Sequence, residues 1–266
     1  MKKTLPITLV ALVSILSGCH DDARTIWKDG IRRCAENDLL GPNILFFGPS
    51  NGQGPGTIYV KYKDGSIGLS HLSSEYLNSP DGIIVNGLEF ACGENSSVSN
   101  TISGSLDLSK ILSVPTTISG KLSTAKSISV KTDSLQWVEL VVGPYKALVN
   151  SQPPANSIRS DLVAGQLVLT RALKVKGMSA TLEFSKDKAA ALKINLPQNI
   201  SGYTNSGINF SVGWESDSKL VLTSKSDFYI AGELRHYENN GLASDVIGSL
   251  VTDADQLKFY NKQSRP

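Results

Sequence analysis

Histidine and cysteine are scarce in this chain, three of each in 266 residues. His20, His71 and His236 stand far apart, and neither Cys34 nor Cys92 has a second ligand at the short spacing of a structural metal site. No metal and no cofactor is therefore expected. A surplus of charge is missing too, with 26 Lys and Arg against 24 Asp and Glu. Nucleic-acid binding needs a basic face, so no nucleic-acid partner is expected. Beyond residue 16 no apolar run approaches the roughly 20 residues of a spanning helix. No Gly-Lys-Ser/Thr follows a glycine-rich loop. The loop from Gly48 to Gly56 carries Pro49 and Pro55, which lack backbone donors, and it opens an apolar alternating run instead of a helix. It reads as a connection between strands, not a phosphate cradle.

What is present begins at the N-terminus. Lys2 and Lys3 precede an apolar segment from Leu5 to Leu16, a charged region followed by a short hydrophobic one, as in a signal peptide. Leu16-Ser17-Gly18-Cys19 closes that segment. This tetrapeptide resembles the lipobox of bacterial lipoproteins, whose pattern is a Leu, two small residues and an acylated Cys. The resemblance implies that residues 1–18 are removed and that the mature chain starts at Cys19 carrying fatty acids, palmitate among them. Two or three chains on one residue make detachment negligible, whereas one gives only marginal binding. In that family an Asp directly after the Cys favours the inner membrane. His20 stands there, so the expected address is the outer membrane, facing the periplasm. Without Lys2 and Lys3 the basic count falls to 24, equal to the acidic count.

With Cys19 assigned to lipid, Cys34 and Cys92 remain as an even pair in an oxidising compartment, and a disulfide between them is the natural reading. Two buried free thiols are the alternative. Closing so long a loop contributes up to about 4 kcal/mol in the chain-entropy account.

Along the chain, Ile26, Trp27, Ile31 and Cys34 recur at helical spacing and predict a short helix between Asp21 and Leu40. Ile44 to Phe47 and Thr57 to Tyr62 read as strands about the Gly48–Gly56 loop. Turn residues at Lys63 to Ser66 and Asn78 to Gly82 separate further strands, the last ending at Cys92, within reach of the N-terminal helix. The Ser/Thr-rich stretch from Gly93 to Ser134 alternates at Ile102, Gly104, Leu106 and Leu108, then at Ile118, Gly120 and Leu122, then at Ile128 and Val130, predicting half-buried antiparallel strands. Asp133 and Gln136 have capping-box spacing, and Leu135, Val138 and Val142 share a helical face, so a helix is expected there, broken at Gly143-Pro144. Helical segments follow near Tyr145 to Val149 and Ser157 to Ala164, the latter stopped by Gly165.

Leu167, Leu169, Leu173 and Val175 are odd, whereas Met178, Ala180, Leu182 and Phe184 are even. The phase flips at Gly177, which predicts either one long bulged strand or a hairpin. Ala190 to Leu196, Ile208 to Trp214, Leu220 to Thr223 and Phe228 to Leu234 read as strands, and Leu242 to Phe259 as a helix. The expected fold class is α+β, mainly antiparallel β, with a central helical insertion and terminal helices. Residues 19–40 would form the anchor and a short helix, and residues 41–266 a strand-rich body, any division of it falling at 93–97.

Chemistry is sparse. His236 lies among Glu233, Arg235 and Glu238, an alternating charge pattern that reads as a solvated strand edge. No catalytic residue is picked out. The order of elements between residues 100 and 235, ending in Lys219 to Thr223 and Phe228 to Leu234, resembles the N-terminal half of gasdermin-type pore formers, which implies membrane insertion. The chain departs from that group in its lipoprotein signal and in lacking a basic helix suited to acidic lipids. The expectation is thus a non-enzymatic envelope lipoprotein that binds a protein or an envelope polymer, with pore formation as the alternative and an envelope hydrolase behind both. Mass analysis of the mature N-terminus should find acylated Cys19, and Cys19→Ser should move the protein from the membrane to the soluble fraction. An unmodified Cys19 on the mature chain would overturn the anchor.

Overall fold

The structure, a computed structural model, describes residues 23–35, 44–62, 67–77, 81–93, 97–101, 108–153, 156–201, 207–238, 241–246 and 257–258. Cys19 and the rest of the lipobox lie outside them, as do the 63–66 turn, most of the 78–82 turn, and Ile102, Gly104 and Leu106.

Two long strands carry the architecture: β6 (Ser127–Leu140) and β7 (Leu167–Glu183), antiparallel to each other from Ser127↔Glu183 to Glu139↔Arg171. β7 also pairs with β2 (Ile58–Lys61), β10 (Lys219–Ser224) and β11 (Phe228–Glu238), so it serves a different partner at each end of each edge. β2 hairpins to β3 (Ile67–His71), while β9 (Asn209–Trp214) and the short β8 (Asn199–Ser201) extend the sheet beyond β10. On the far edge of β6 lie β4 (Ile84–Ala91) and β5 (Val98–Thr101). β1 (Leu45–Ser50) and β12 (Gly241–Val246) flank β11, and β13 (Leu257–Lys258) pairs parallel with β3. The architecture is the expected α+β class dominated by antiparallel sheet.

Helices cover this sheet. α1 (Ala23–Ala35) buries Ile26, Trp27 and Ile31. Trp27 donates its indole N–H to the carbonyl of Ile111 at 3.0 Å and meets Phe228 edge to face at 5.8 Å. Burying a residue of that size contributes about 1.5–3 kcal/mol, which outweighs the cost of Gly30 within the helix, about 1 kcal/mol. α2 (Leu108–Leu112) and α3 (Thr116–Leu122) complete the same core with Ile111, Leu112 and Leu122.

Between β6 and β7 stand α4 (Val142–Ser151) and α5 (Ser157–Val163), the central helical insertion. Gly143-Pro144 does not break α4. Pro144 falls in its first turn, where its missing N–H would have had no helical partner. Asn156 caps α5 by accepting from the N–H groups of Ile158 and Arg159, and Gly165, at φ +82°, ends it.

Several expectations are corrected. Residues 133–140 form strand β6 instead of a helix. Leu135, Gln136, Trp137 and Val138 are all buried because β6 is hydrogen-bonded on both edges and covered on both faces, which erases the alternation that would have marked it. Ile118 to Leu122 belong to α3, and Leu108 begins α2, so the Ser/Thr-rich stretch is strand only at Val98–Thr101 and from Ser127 onward. Ala190 to Leu196 is not a strand: α6 (Lys186–Asn195) turns Ala189 and Leu192 inward and leaves Ile194 84% exposed. Its Ala-rich run favours helix, and alternation over so few residues fits either period. In the tail, Leu242 and Val246 lie in β12 and Leu257 in β13, where a helix was expected.

The phase flip at Gly177 resolves as one long strand, not a hairpin. Gly177 has φ +60°, and Asp133 lies opposite it on β6. Inward residues change parity on both strands there, from Leu135 and Trp137 to Thr132, Val130 and Ile128 on β6, and from Val175 to Met178 on β7. The register is kept, because both strands turn over together. A Cβ at position 177 would also overlap the Asp133 carboxylate. Gly177→Ala is therefore expected to lower stability by about 1–3 kcal/mol in a urea titration, with part of the loss recovered when Asp133→Ala is added.

Candidate functional site

Cys34, in the last turn of α1, is joined by a disulfide to Cys92, just past β4, with their Cα atoms 4.5 Å apart. Cys92 N–H also donates to the Asp133 carbonyl, so the staple runs from α1 through the end of β4 into the middle of β6.

The most organised polar feature lies across three strands. Glu139 of β6 is the direct partner of Arg171 of β7, which is in turn the direct partner of Glu233 of β11. Arg171 donates through Nε to Glu139 Oε1 at 2.8 Å and reaches Glu233 Oε1 with Nη1 at 3.4 Å. Its guanidinium lies 4.2 Å from the centroid of the Trp137 ring, two residues from Glu139 on the same strand, which holds the planar group face-on. The row is Glu, Arg, Glu, and Arg235 stands two residues from Glu233 along β11. Successive side chains on a strand alternate faces, so Glu233 and Arg235 share one, roughly 7 Å apart.

Here β7 and β11 shift register between Glu233 and Leu234, leaving Thr170 as the extra residue of a bulge, its hydroxyl donating to the Glu233 carbonyl. These residues, with Leu140, Val142 and Leu242, line a cavity of about 110 Å³. Arg235 makes no ion pair among the described residues, and its buried Nε has no hydrogen-bond partner. The solvated-edge expectation for Glu233 and Arg235 is thereby corrected. β11 is paired on both sides, and the Glu233 side chain is only 16% exposed.

In the core under α4, Tyr145 and Tyr237 pack edge to face at 6.5 Å, the Tyr145 and Tyr76 hydroxyls meet at 2.9 Å, and Tyr76 donates to the Gly56 carbonyl. Burial raises the pKa of all three phenols, so they stay neutral near pH 7.

The histidines serve elsewhere. His71 Nε2 and the Ser70 hydroxyl both bond to the same oxygen of Asp161, at 3.0 and 2.9 Å, and His71 Nδ1 is 3.6 Å from Glu75. Ser70 therefore points at the carboxylate and not at the imidazole, unlike a nucleophile and its base. The cluster ties β3 to α5. His236 donates from Nδ1 to the Gly165 carbonyl at 3.0 Å.

Gly48-Pro49-Ser50-Asn51-Gly52 has the Gly-x-Ser-x-Gly spacing of a nucleophile elbow. The elbow requires strand, turn and helix. Ser50 instead ends β1, is 3% exposed, accepts from Gly52 N–H, and leads to strand β2. Among the described residues no set of three His, Cys, Asp or Glu could hold a metal ion.

No protein family and no curated protein matches the chain. Among solved structures, a bacterial gasdermin from Bradyrhizobium tropiciagri aligns over 81% of this chain and 92% of its own, at 13% identity and a TM-score of 0.44. The group is the one resembled by residues 100 to 235, but a likeness of this degree assigns no activity.

Arg171→Met should leave two carboxylates facing each other without their shared cation. Because the Arg171 and Glu139 side chains are 35% and 41% exposed, the expected loss is about 1–2 kcal/mol in chemical denaturation, and less when Glu233→Gln is combined with it.

Proposed function

We propose that the chain is an envelope lipoprotein whose body is a non-enzymatic binding module, held close to the membrane by Cys19. One observation carries this reading: the lipobox cysteine stands only a few residues before α1, a helix docked by Trp27 and stapled by the Cys34–Cys92 disulfide. From Cys19 to Ala23 the chain spans at most ~14 Å. The body would therefore sit against the leaflet as a rigid head without a long stalk. The charged cavity over Trp137 supplies a recognition surface of mixed sign. Crosslinking the native lipoprotein in envelope fractions should capture a specific protein or polymer, with capture reduced by Arg235→Gln. Turnover of a cell-wall or lipid substrate, abolished by a point change that leaves the fold intact, would refute the non-enzymatic reading.

A second reading is membrane insertion through the β6 and β7 region. The observation favouring it is strand length. β6 has 14 residues and β7 has 17, more than the roughly 9–11 that a tilted strand needs to cross a bilayer. Ile128 and Val130, then Met178, Ala180 and Leu182, alternate with polar neighbours as such a strand requires. This reading expects dye leakage from liposomes after proteolysis or acidification. Intact liposomes under both treatments would exclude it.

A further inference from the structure

We infer that the cavity beside Arg171 accepts a small α-amino acid in its zwitterionic form, the carboxylate at Arg235 and the ammonium at Glu233. The inference rests on the reading of the body as a binding module and specifies what its polar cavity takes. The charge arithmetic selects the class. Glu139 and Glu233 balance Arg171 and Arg235, so the cavity is neutral in total while its charges are separated in space. Arg171 is already satisfied by both carboxylates, and it lies flat on Trp137. Arg235 lines the cavity with no acidic partner among the described residues, and its Nε is buried without a hydrogen-bond partner, so the protein itself only partly satisfies this guanidinium. Each carboxylate meets Arg171 through Oε1, and among the described residues no bond to Oε2 of either is present.

A simple anion approaching Arg235 meets the repulsion of two carboxylates, and a simple cation meets two guanidinium groups. A molecule bearing both charges on one carbon satisfies each end. The cavity, about 110 Å³, limits the ligand to a few heavy atoms beyond the α-carbon, and the Leu140 and Leu242 walls favour a short apolar side chain.

The test uses the full mature lipoprotein in detergent, titrated calorimetrically with L- and D-alanine. Acetate and methylamine serve as the two halves of the charge pair. Saturable binding of at least one alanine enantiomer is expected, with both halves at least about tenfold weaker and with Arg235→Gln lowering affinity at least about tenfold. Arg235→Lys should retain part of the affinity, and a thermal midpoint for each variant separates lost binding from lost fold. Acetate binding as tightly as alanine would make the cavity an anion site and overturn the proposal. So would the absence of saturable binding of both alanine enantiomers to folded wild-type protein. If a specific envelope partner is nevertheless captured by crosslinking, the binding-module reading survives and only the ligand class falls.

Discussion

β7 is buried on both faces over Leu167–Thr170 and on one face from Leu173 onward; it is hydrogen-bonded on its two edges to β6 and β2 and to β10 and β11, and the three hydrophobic cores meet along its length. Leu173, Val175, Met178, Ala180 and Leu182, with Phe184 just beyond the strand, face the core beneath α1, α2, α3 and α6. Leu167, Leu169 and Ala172 face a second core against β1 and β3, and Val168 faces a third, beneath α4 and α5. Pairing of β7 on both edges satisfies interior backbone groups that would each cost about 1–3 kcal/mol if left unpaired. Its register therefore sets where every helix docks. The parity change at Gly177 shows how tight that constraint is, because β6 changes parity at the facing Asp133 and the pairing continues unbroken.

The same register creates the polar site. Pairing β6, β7 and β11 sets Glu139, Arg171 and Glu233 in one row across the sheet. The bulge at Thr170 relieves the accumulated register difference beside them, and Trp137 fixes the plane of Arg171. A partly buried charge row contributes little to stability, since desolvation offsets much of the attraction. At the other end of the molecule the disulfide unites α1 with the end of β4. A few residues beyond the lipid attachment expected at Cys19, the chain is already part of the folded core.

Local signals were legible where one physical requirement dominated. The apolar stripe Ile26, Trp27, Ile31 and Cys34 spelled α1 because only one of its faces meets the core. Gly165 marked a helix end because a left-handed residue was needed there. The alternation from Ile208 to Trp214 marked β9 because the strand has one buried side. The reading failed where burial was two-sided or the segment short. Leu135 to Val138 lack alternation because both faces are covered, so helical spacing among them was accidental. In α3 and α6 an apolar alternation of three or four residues fitted helix and strand equally, and Ile194 shows that one of those apolar positions faces solvent.

By itself the sequence determined the lipobox-like pattern at the N-terminus, the near balance of charge, the pairing candidates Cys34 and Cys92, and the predominance of alternating, antiparallel-type segments. These are properties of composition and near neighbours, where spacing of a few residues carries the information. Only the tertiary structure decided which segments between residues 108 and 196 are helices, how Gly177 keeps one strand continuous, and that Glu139, Arg171 and Glu233 stand in a row with Arg235 beside them. Those residues are separated by 32 and 62 positions. Strand pairing brings them together through backbone hydrogen bonds that any residue can make, so no local pattern of side chains records the meeting.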